Sequence, residues 1–317
     1  HNIEYQGVFD LAISEDVFDL HGKEKDIIEF KGAINLLKGA METAHIISTV
    51  SESYSKEIFD DYYAHGLAEI IQKNSSKIRG ILNGIDTEKY NPEDDAEIFE
   101  NYSAESIQKK NLNKKNLQSL SGLPQDENVP VIGIISRLVK HKGFDLIKSS
   151  IEEILKEKVQ FIILGKGDRG YELYFKYLQE SYHDKIFVRI GFDSDFAKKI
   201  YSGADLFLMP SISEPCGIAQ MISSRYGTVP IIRETGGLKD SIKDASLGKG
   251  NGFTFSEQTP QALCEAVKRA LKVYENKEDW RKLVETVMKI DFSWRKSAEK
   301  YFDMYSSLAN IEENNNE

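Results

Sequence analysis

Glu214, Pro215, Cys216 and Gly217 stand together where an apolar run ends and a helix-like pattern begins, within DLFLMPSISEPCGIAQMISSRYG (205–227). A carboxylate at such a junction accepts strong hydrogen bonds from hydroxyls and has no use for phosphate. Glycine lets a ligand approach the backbone, and a helix starting near Gly217 would turn free N–H groups and a positive dipole end toward an anion. Two more apolar runs end in polar or glycine-rich loops. One is RLVKHKG (137–143), with Arg137, Lys140, His141, Lys142 and Gly143; the other is KGDRG (166–170). Arg137 as a planar fork and Lys142 as a point charge suit a diphosphate. Each piece also has a plain reading. Loop cations are usually solvated surface, Glu-Pro-x-Gly starts helices, a thiol such as Cys216 packs as a small apolar group, and the glycines of LGKGD close a tight turn. Placement on one rim is what would raise the set above its parts.

The elements between these loops put them on such a rim. From Val129 the chain alternates short apolar runs with amphipathic ones. VPVIGIIS (129–136), VQFIILG (159–165), KIFVRIGF (185–192), DLFLMP (205–210) and TVPIIR (228–233) read as strands. GFDLIKSSIEEILKE (143–157), GYELYFKYLQESY (170–182), DFAKKIYSGA (195–204), the stretch after Gly217 and GLKDSI (237–242) read as helices. This alternation specifies a parallel sheet with helices on both faces, whose ligands sit outside the carboxyl ends of the strands.

The first third is less regular. Ala44–Val50 and Ile78–Leu82 read as strands, the serines of SESYSKEIFD (51–60) are placed to cap a helix, and Asn83-Gly84 signals a turn before Pro92 and the acidic EDDAE (93–97). KKNLNKKNLQSLSGLP (109–124) reads as a basic helix with a solvated face, closed by Gly122 and Pro124. After NGFTF, three helical stretches follow at Pro260–Tyr274, Lys277–Lys289 and Trp294–Leu308, and the polar tail NIEENNNE (310–317) reads as disordered.

The totals set outer limits. A length of 317 residues suggests two domains, and the net charge of −10 argues against nucleic acid as a partner. No apolar run reaches membrane-spanning length, and no signal-peptide pattern is present, so no membrane partner is expected. Two cysteines, Cys216 and Cys264, are too few for a disulfide framework and fit a reducing, cytoplasmic compartment. The chain opens at His1 without an initiator methionine and mid-pattern, which reads as a truncated start.

Taken in order, HNIEYQG (1–7), GAINLLKGAMETAHIISTVSESYSKEI (32–58), ILNGIDTEKYNP (81–92), ISRLVKHKGFDLI (135–147), GADLFLMPSISEPCGIAQMISSRYGTVPIIRETGGLKDSI (203–242) and DFSW (291–294) resemble the bacterial glycogen synthase and plant starch synthase family. The resemblance runs nearly end to end. It implies an α/β fold of GT-B type: two Rossmann-like domains facing a cleft, the first incomplete and the second a doubly wound parallel sheet. The implied domains are 1–90, the remainder of an acceptor-side domain with its linker; 91–290, the nucleotide-sugar domain; and 291–317, a helix crossing back to the first domain, with Trp294 as its packing anchor, and the tail. The implied reaction transfers glucose from ADP-glucose to the non-reducing 4-hydroxyl of an α-1,4-glucan such as glycogen, with retention, and without a metal or other cofactor.

The resemblance also assigns roles. Arg137 and Lys142 hold the diphosphate and stabilise the leaving group, Glu214 binds glucose hydroxyls, and His1 approaches the donor glucose. Cys216 and Gly217 line the sugar–phosphate contact, and Gly236 and Gly237 in TGGL belong to the same site. Asn83 lies near the sugar. Phe192 falls where members often place a tyrosine that stacks on adenine. Apart from the resemblance, Lys166 in GKGD is placed by its loop to reach a nucleotide. Three departures stand out. Ala219 replaces a threonine of some members. Ile222 replaces a second glutamate common among broader relatives that use other nucleotide sugars. The family's opening Lys-Thr-Gly-Gly-Leu loop is absent ahead of His1. The rival readings are a related retaining transferase that uses UDP-glucose or another donor, and a catalytically silent fragment that binds nucleotide or glucan. A purely structural helical scaffold fits the strand–helix alternation poorly.

Overall fold

The computed structural model describes residues 1–315. The chain divides into two compact units, Gly84–Trp294 and a smaller one made of His1–Asn83 with the last helix from Arg295.

The larger unit is built on six strands: β1 (Val131–Ile135), β2 (Gln160–Gly165), β3 (Ile186–Ile190), β4 (Leu206–Met209), β5 (Val229–Arg233) and β6 (Phe253–Phe255). They pair only in parallel, in the order β6-β5-β4-β1-β2-β3. Read from the β3 edge this is 3-2-1-4-5-6, the doubly wound order, and its direction reverses between β1 and β4. Around the sheet lie α1 (Lys110–Leu120), α2 (Phe144–Ile154), α3 (Arg169–Ser181), α4 (Ser194–Gly203), α5 (Ala219–Arg225), α6 (Gly236–Ser241), α7 (Pro260–Glu275) and α8 (Lys277–Met288).

The pleat explains why these strands read as unbroken apolar runs. Ile132, Ile134, Phe161, Ile163 and Leu208 join one core with Phe144, Ile151, Phe175 and Val267. Val131, Ile162 and Leu164 join another with Leu117, Phe196 and Ile200. Successive side chains thus enter opposite layers, and both layers are apolar. Each fully buried Ile, Leu or Phe contributes about 1.5–3 kcal/mol.

The expected strands and helices of this region are present, within a few residues at their ends. β6 was not among the expected strands, and the helix expected from Gly217 begins at Ala219. The basic helix α1 departs from its expected role: Lys110, Asn113 and Lys114 are buried.

The smaller unit holds a three-stranded antiparallel sheet, Val8–Asp10, Ala33–Asn35 and Glu29–Phe30, and a parallel pair, Ile47–Thr49 with Ile78–Gly80. Ser51 caps the helix Glu52–Glu57 by accepting from Tyr54 N, as its placement suggested. The Tyr54 hydroxyl accepts from Ile3 N at 3.1 Å and so fixes the start of the chain. The last helix, Trp294–Asn315, is tied into this unit by Ser297 Oγ donating to Leu82 O and by Lys300 paired with Glu52 at 2.7 Å. The tail expected to be disordered is helical as far as Asn315, and its last two residues lie outside the described residues. No helix among the described residues is long and apolar enough to cross a membrane.

Candidate active site

The loops after β1 and β4 meet where the strand order reverses. Ile212 N donates to His141 O at 2.8 Å across them. Gly143, with φ +80°, lies so close that a Cβ there would sit 2.0 Å from Pro210 O, and only glycine fits. This contact brings Lys142 beside Glu214. Lys142 Nζ lies 2.6 Å from Glu214 Oε2, with side-chain exposures of 18% and 9%. Ser211 Oγ donates to the same oxygen at 3.2 Å. Both contacts fall on Oε2, which leaves Oε1 to accept from a ligand. Arg137 Nη2 lies 3.4 Å from His141 Nε2. Arg137, Lys142, Ser211, Glu214 and Gly217 line one cavity of about 350 Å³ at the carboxyl ends of β1 and β4.

The loop that carries Glu214 is held from behind. Arg233, buried at the end of β5, donates from Nε to Ser211 O at 2.9 Å, from Nη1 to Ser256 O at 3.2 Å and from Nη2 to Ile212 O. Gly237 N approaches the carbonyls of Glu214 and Pro215, each at 3.2 Å. A Cβ on Gly236 would lie 2.1 Å from Glu214 O, and one on Gly237 2.2 Å from Cys216 O. The backbones of TGG and EPC therefore interlock with no room for a methyl group.

A second cavity, of about 660 Å³, adjoins the first and shares Ser136, Arg137 and Ile218 with it. Tyr90, Lys166, Phe192, Lys198 and Tyr201 are among its lining. Phe192 is 96% exposed, an unusual state for a phenylalanine. Lys198 pairs with Asp95 at 3.1 Å and Glu97 at 3.0 Å. Burial works to lower its pKa, but the two carboxylates raise it overall, so it stays charged. Burial pushes the Tyr201 hydroxyl well above its ordinary value, so it stays neutral.

Arg137, Lys142, Glu214 and Gly217 thus converge on the inner cavity, and Phe192 and Lys166 on the outer one. Cys216 is buried beneath the loop, while Gly236 and Gly237 support it from behind. His1 and Asn83 belong to the smaller unit. The helix expected to start near Gly217 begins at Ala219 and has seven residues. Trp294, expected as a packing anchor, is 48% exposed; its backbone, packed against Gly84, makes the close contact. Arg233, Ser211 and Tyr90 escaped sequence reasoning. The available signal for Arg233 was a cation ending an otherwise apolar strand. Among the described residues no group of three or more His, Cys, Asp or Glu side chains could hold a metal ion.

Residues 118–286 match the family model described as glycosyl transferases group 1. The chain belongs to that family. Residues 1–73 of this group 1 glycosyl transferase match a second model, the starch synthase catalytic domain. It is 44% identical over 312 residues to the glycogen synthase of Clostridioides difficile (strain 630), an alignment covering 97% of this chain and 65% of the relative. To the glycogen synthase of Bacillus cereus (strain Q1) it is 42% identical, covering 97% and 66%. The catalytic domain of starch synthase IV from Arabidopsis thaliana, solved bound to ADP and acarbose, matches with a TM-score of 0.90 at 35% identity, covering 97% of this chain and 65% of that one. The kinship expected from the motifs is borne out, as is the α/β class with a doubly wound sheet. The chain spans about two thirds of the length of the relatives it matches.

Proposed function

We propose that this chain carries the donor-binding machinery of an ADP-glucose-dependent α-1,4-glucan synthase that retains anomeric configuration. The observation that carries the reading is the convergence of Arg137, Lys142 and Glu214 on one cavity at the β1/β4 reversal. The inner cavity takes the glucose and diphosphate, and the outer cavity takes the nucleoside, with Phe192 as a stacking face for adenine. Arg137 and Lys142 meet the phosphates. Glu214 accepts hydroxyls of the sugar on Oε1, while Ser211 and Lys142 steady Oε2. Cys216 and Gly217 shape the sugar–phosphate contact, and Gly236 and Gly237 hold that loop. The roles of His1 and Asn83 rest on the resemblance alone.

In the reaction the bond from the anomeric carbon to phosphate oxygen breaks through an oxocarbenium-like state. The electron pair leaves with ADP, whose charge Arg137 and Lys142 stabilise. The acceptor 4-hydroxyl attacks from the same face and passes its proton to the departing phosphate. No covalent nucleophile takes part, and a trapped glucosyl-enzyme would overturn this route. A glycan acceptor such as glycogen, a cytoplasmic location and catalysis without a metal belong to the same reading.

Calorimetric titration of the chain with ADP, with UDP as control, tests it. ADP is expected to bind, UDP to bind much more weakly, and Arg137→Ala to weaken ADP about 10- to 100-fold, the value of a charge-assisted hydrogen bond. Equal or tighter UDP binding would transfer the reading to a UDP-sugar transferase. ADP binding that Arg137→Ala leaves intact would show the site to be misplaced. Glucosyl transfer to glycogen, assayed on the same sample, separates an active transferase from a silent binder.

A further inference from the structure

The opposite end of the sheet carries a cavity that donor chemistry does not use. It measures about 340 Å³, within the range of small-molecule sites. Its walls come from α1, from the approach to β1 at Glu127 and Asn128, and from the α7–α8 joint. Asp205, the residue just ahead of β4, forms part of it, so it lies at the amino edge of the strands.

Its charge is at odds with the rest of the chain. Lys110, Lys114, Lys277 and Arg281 line it, against the carboxylates of Glu127 and Asp205, four basic side chains to two acidic ones in a protein of net charge −10. Two of these cations are fully occupied. Lys110 Nζ donates to Ser202 O at 2.7 Å, Tyr226 O at 3.1 Å and Thr228 Oγ1 at 2.9 Å. Lys114 meets Asp205 at 2.8 Å, the Tyr274 hydroxyl at 2.7 Å and Glu127 O at 3.0 Å.

The other two are not, and both stand exposed on α8, the Arg281 side chain by 58%. Arg281 bonds Glu285 at 2.9 Å through Nη1, and its remaining N–H groups have no partner among the described residues. Lys277 Nζ lies 3.6 Å from the centre of the Tyr274 ring and has no hydrogen-bond partner among the described residues. It sits at the first position of α8, where the helix dipole disfavours a cation. Partial burial and the nearby Lys114 push its pKa down, and burial pushes that of Lys110 to about 7. The carboxylates of Asp205, Glu127 and Asp126 act on Lys277 in the opposite direction without cancelling the shift.

We propose that this amino-edge cavity binds a phosphate dianion, free or carried by a small ester, with Lys277 and Arg281 as its charged contacts. Gln108, Asn111 and Asn128 in the lining supply neutral amide donors. The inference is independent of the donor assignment. One arginine and one lysine recognise phosphate by fork and by point charge, and the volume leaves room for a small organic group beyond the phosphate itself.

Titrations with inorganic phosphate and with glycerol 3-phosphate test it, in three forms of the chain. Phosphate is also a weak ligand for the donor rim, so Arg137→Ala/Lys142→Ala removes that contribution and Lys277→Ala/Arg281→Ala removes the new one. Binding is expected to persist in the first double variant and to weaken about tenfold or more in the second. Tighter binding of the ester identifies an organic phosphate as the ligand; tighter binding of inorganic phosphate identifies the free ion. Loss in the Arg137/Lys142 variant alone, or no binding of either probe, overturns the proposal. NMR titration of the Lys277 amine gives a second readout: phosphate is expected to raise its pKa, and an unchanged value at saturating phosphate contradicts a direct contact.

Discussion

Each end of the sheet in the larger unit holds a lysine–carboxylate pair, and the two pairs are alike in length and opposite in character. At the amino edge, Lys114 and Asp205 meet at 2.8 Å with side-chain exposures of 3% and 11%. Lys114 also reaches the Tyr274 hydroxyl and Glu127 O, while Asp205 accepts from Val131 N at 2.8 Å. Lys114 thus spends all three of its N–H groups and bolts α1 to the sheet, while both contacts to Asp205 fall on Oδ2. At the carboxyl edge, Lys142 hydrogen-bonds Glu214 and no other partner among the described residues, and Glu214 keeps Oε1 in reserve. Distance alone does not separate a structural pair from a binding pair. The count of unspent donors on the lysine does: Lys114 has none and Lys142 has two.

The sharpest way to break this comparison is to neutralise one acid at a time. Asp205→Asn leaves Lys114 charged and buried without its counterion and is expected to cost about 3–5 kcal/mol in urea unfolding. Glu214→Gln, at a cavity that water enters, is expected to cost about 1 kcal/mol or less and to act on sugar-nucleotide binding instead. Equal losses of stability would erase the distinction.

Lys110 sharpens the amino-edge side. Burial depresses its pKa to about 7, against about 10.5 for an ordinary lysine. Between those values the unfolded chain holds the extra proton, so stability contributed at this position rises with pH through that window. Lys110→Met removes the proton from both states. The stability gap between parent and variant is therefore expected to shift in the parent's favour from pH 7 to pH 10, by on the order of a few kcal/mol. A flat gap would mean that the carbonyls around Lys110 compensate its burial.

The smallest effect lies on the outer cavity. Phe192→Ala is expected to weaken ADP by about 0.5–1.5 kcal/mol, the value of one aromatic stacking contact, with stability unchanged. A loss of stability in thermal melts would mean that the ring packs instead of binding.

How much of this was legible follows from where the partners lie. β1, β2, β4 and β5 announced themselves because burial on both faces makes each an unbroken apolar run. β6 has three residues, and the antiparallel strands of the smaller unit have two or three, too few to show any period. Arg137, Lys142 and Glu214 were readable because strand ends fall on one rim in such a sheet. Lys110 and Lys114 were not. Their partners Ser202, Asp205 and Tyr274 are far along the chain, and KKNLNKKN looks like any solvated helix face when read locally. Arg233 was hidden for the same reason, since it serves a loop some twenty residues earlier.

The interlocked backbones of Glu214–Cys216 and Gly236–Gly237 bear on mutational tolerance. A single added methyl at either glycine collides with a carbonyl, so that half of the site accepts almost no sequence drift without moving main chain. The outer cavity is walled by side chains such as Tyr90, Phe192 and Lys198, each replaceable without disturbing a backbone contact of that kind. On the proposed reading, new nucleotide preferences would be open to this chain through ordinary point substitutions, whereas a change in how the sugar and phosphates are gripped would require the two loops to be rebuilt together.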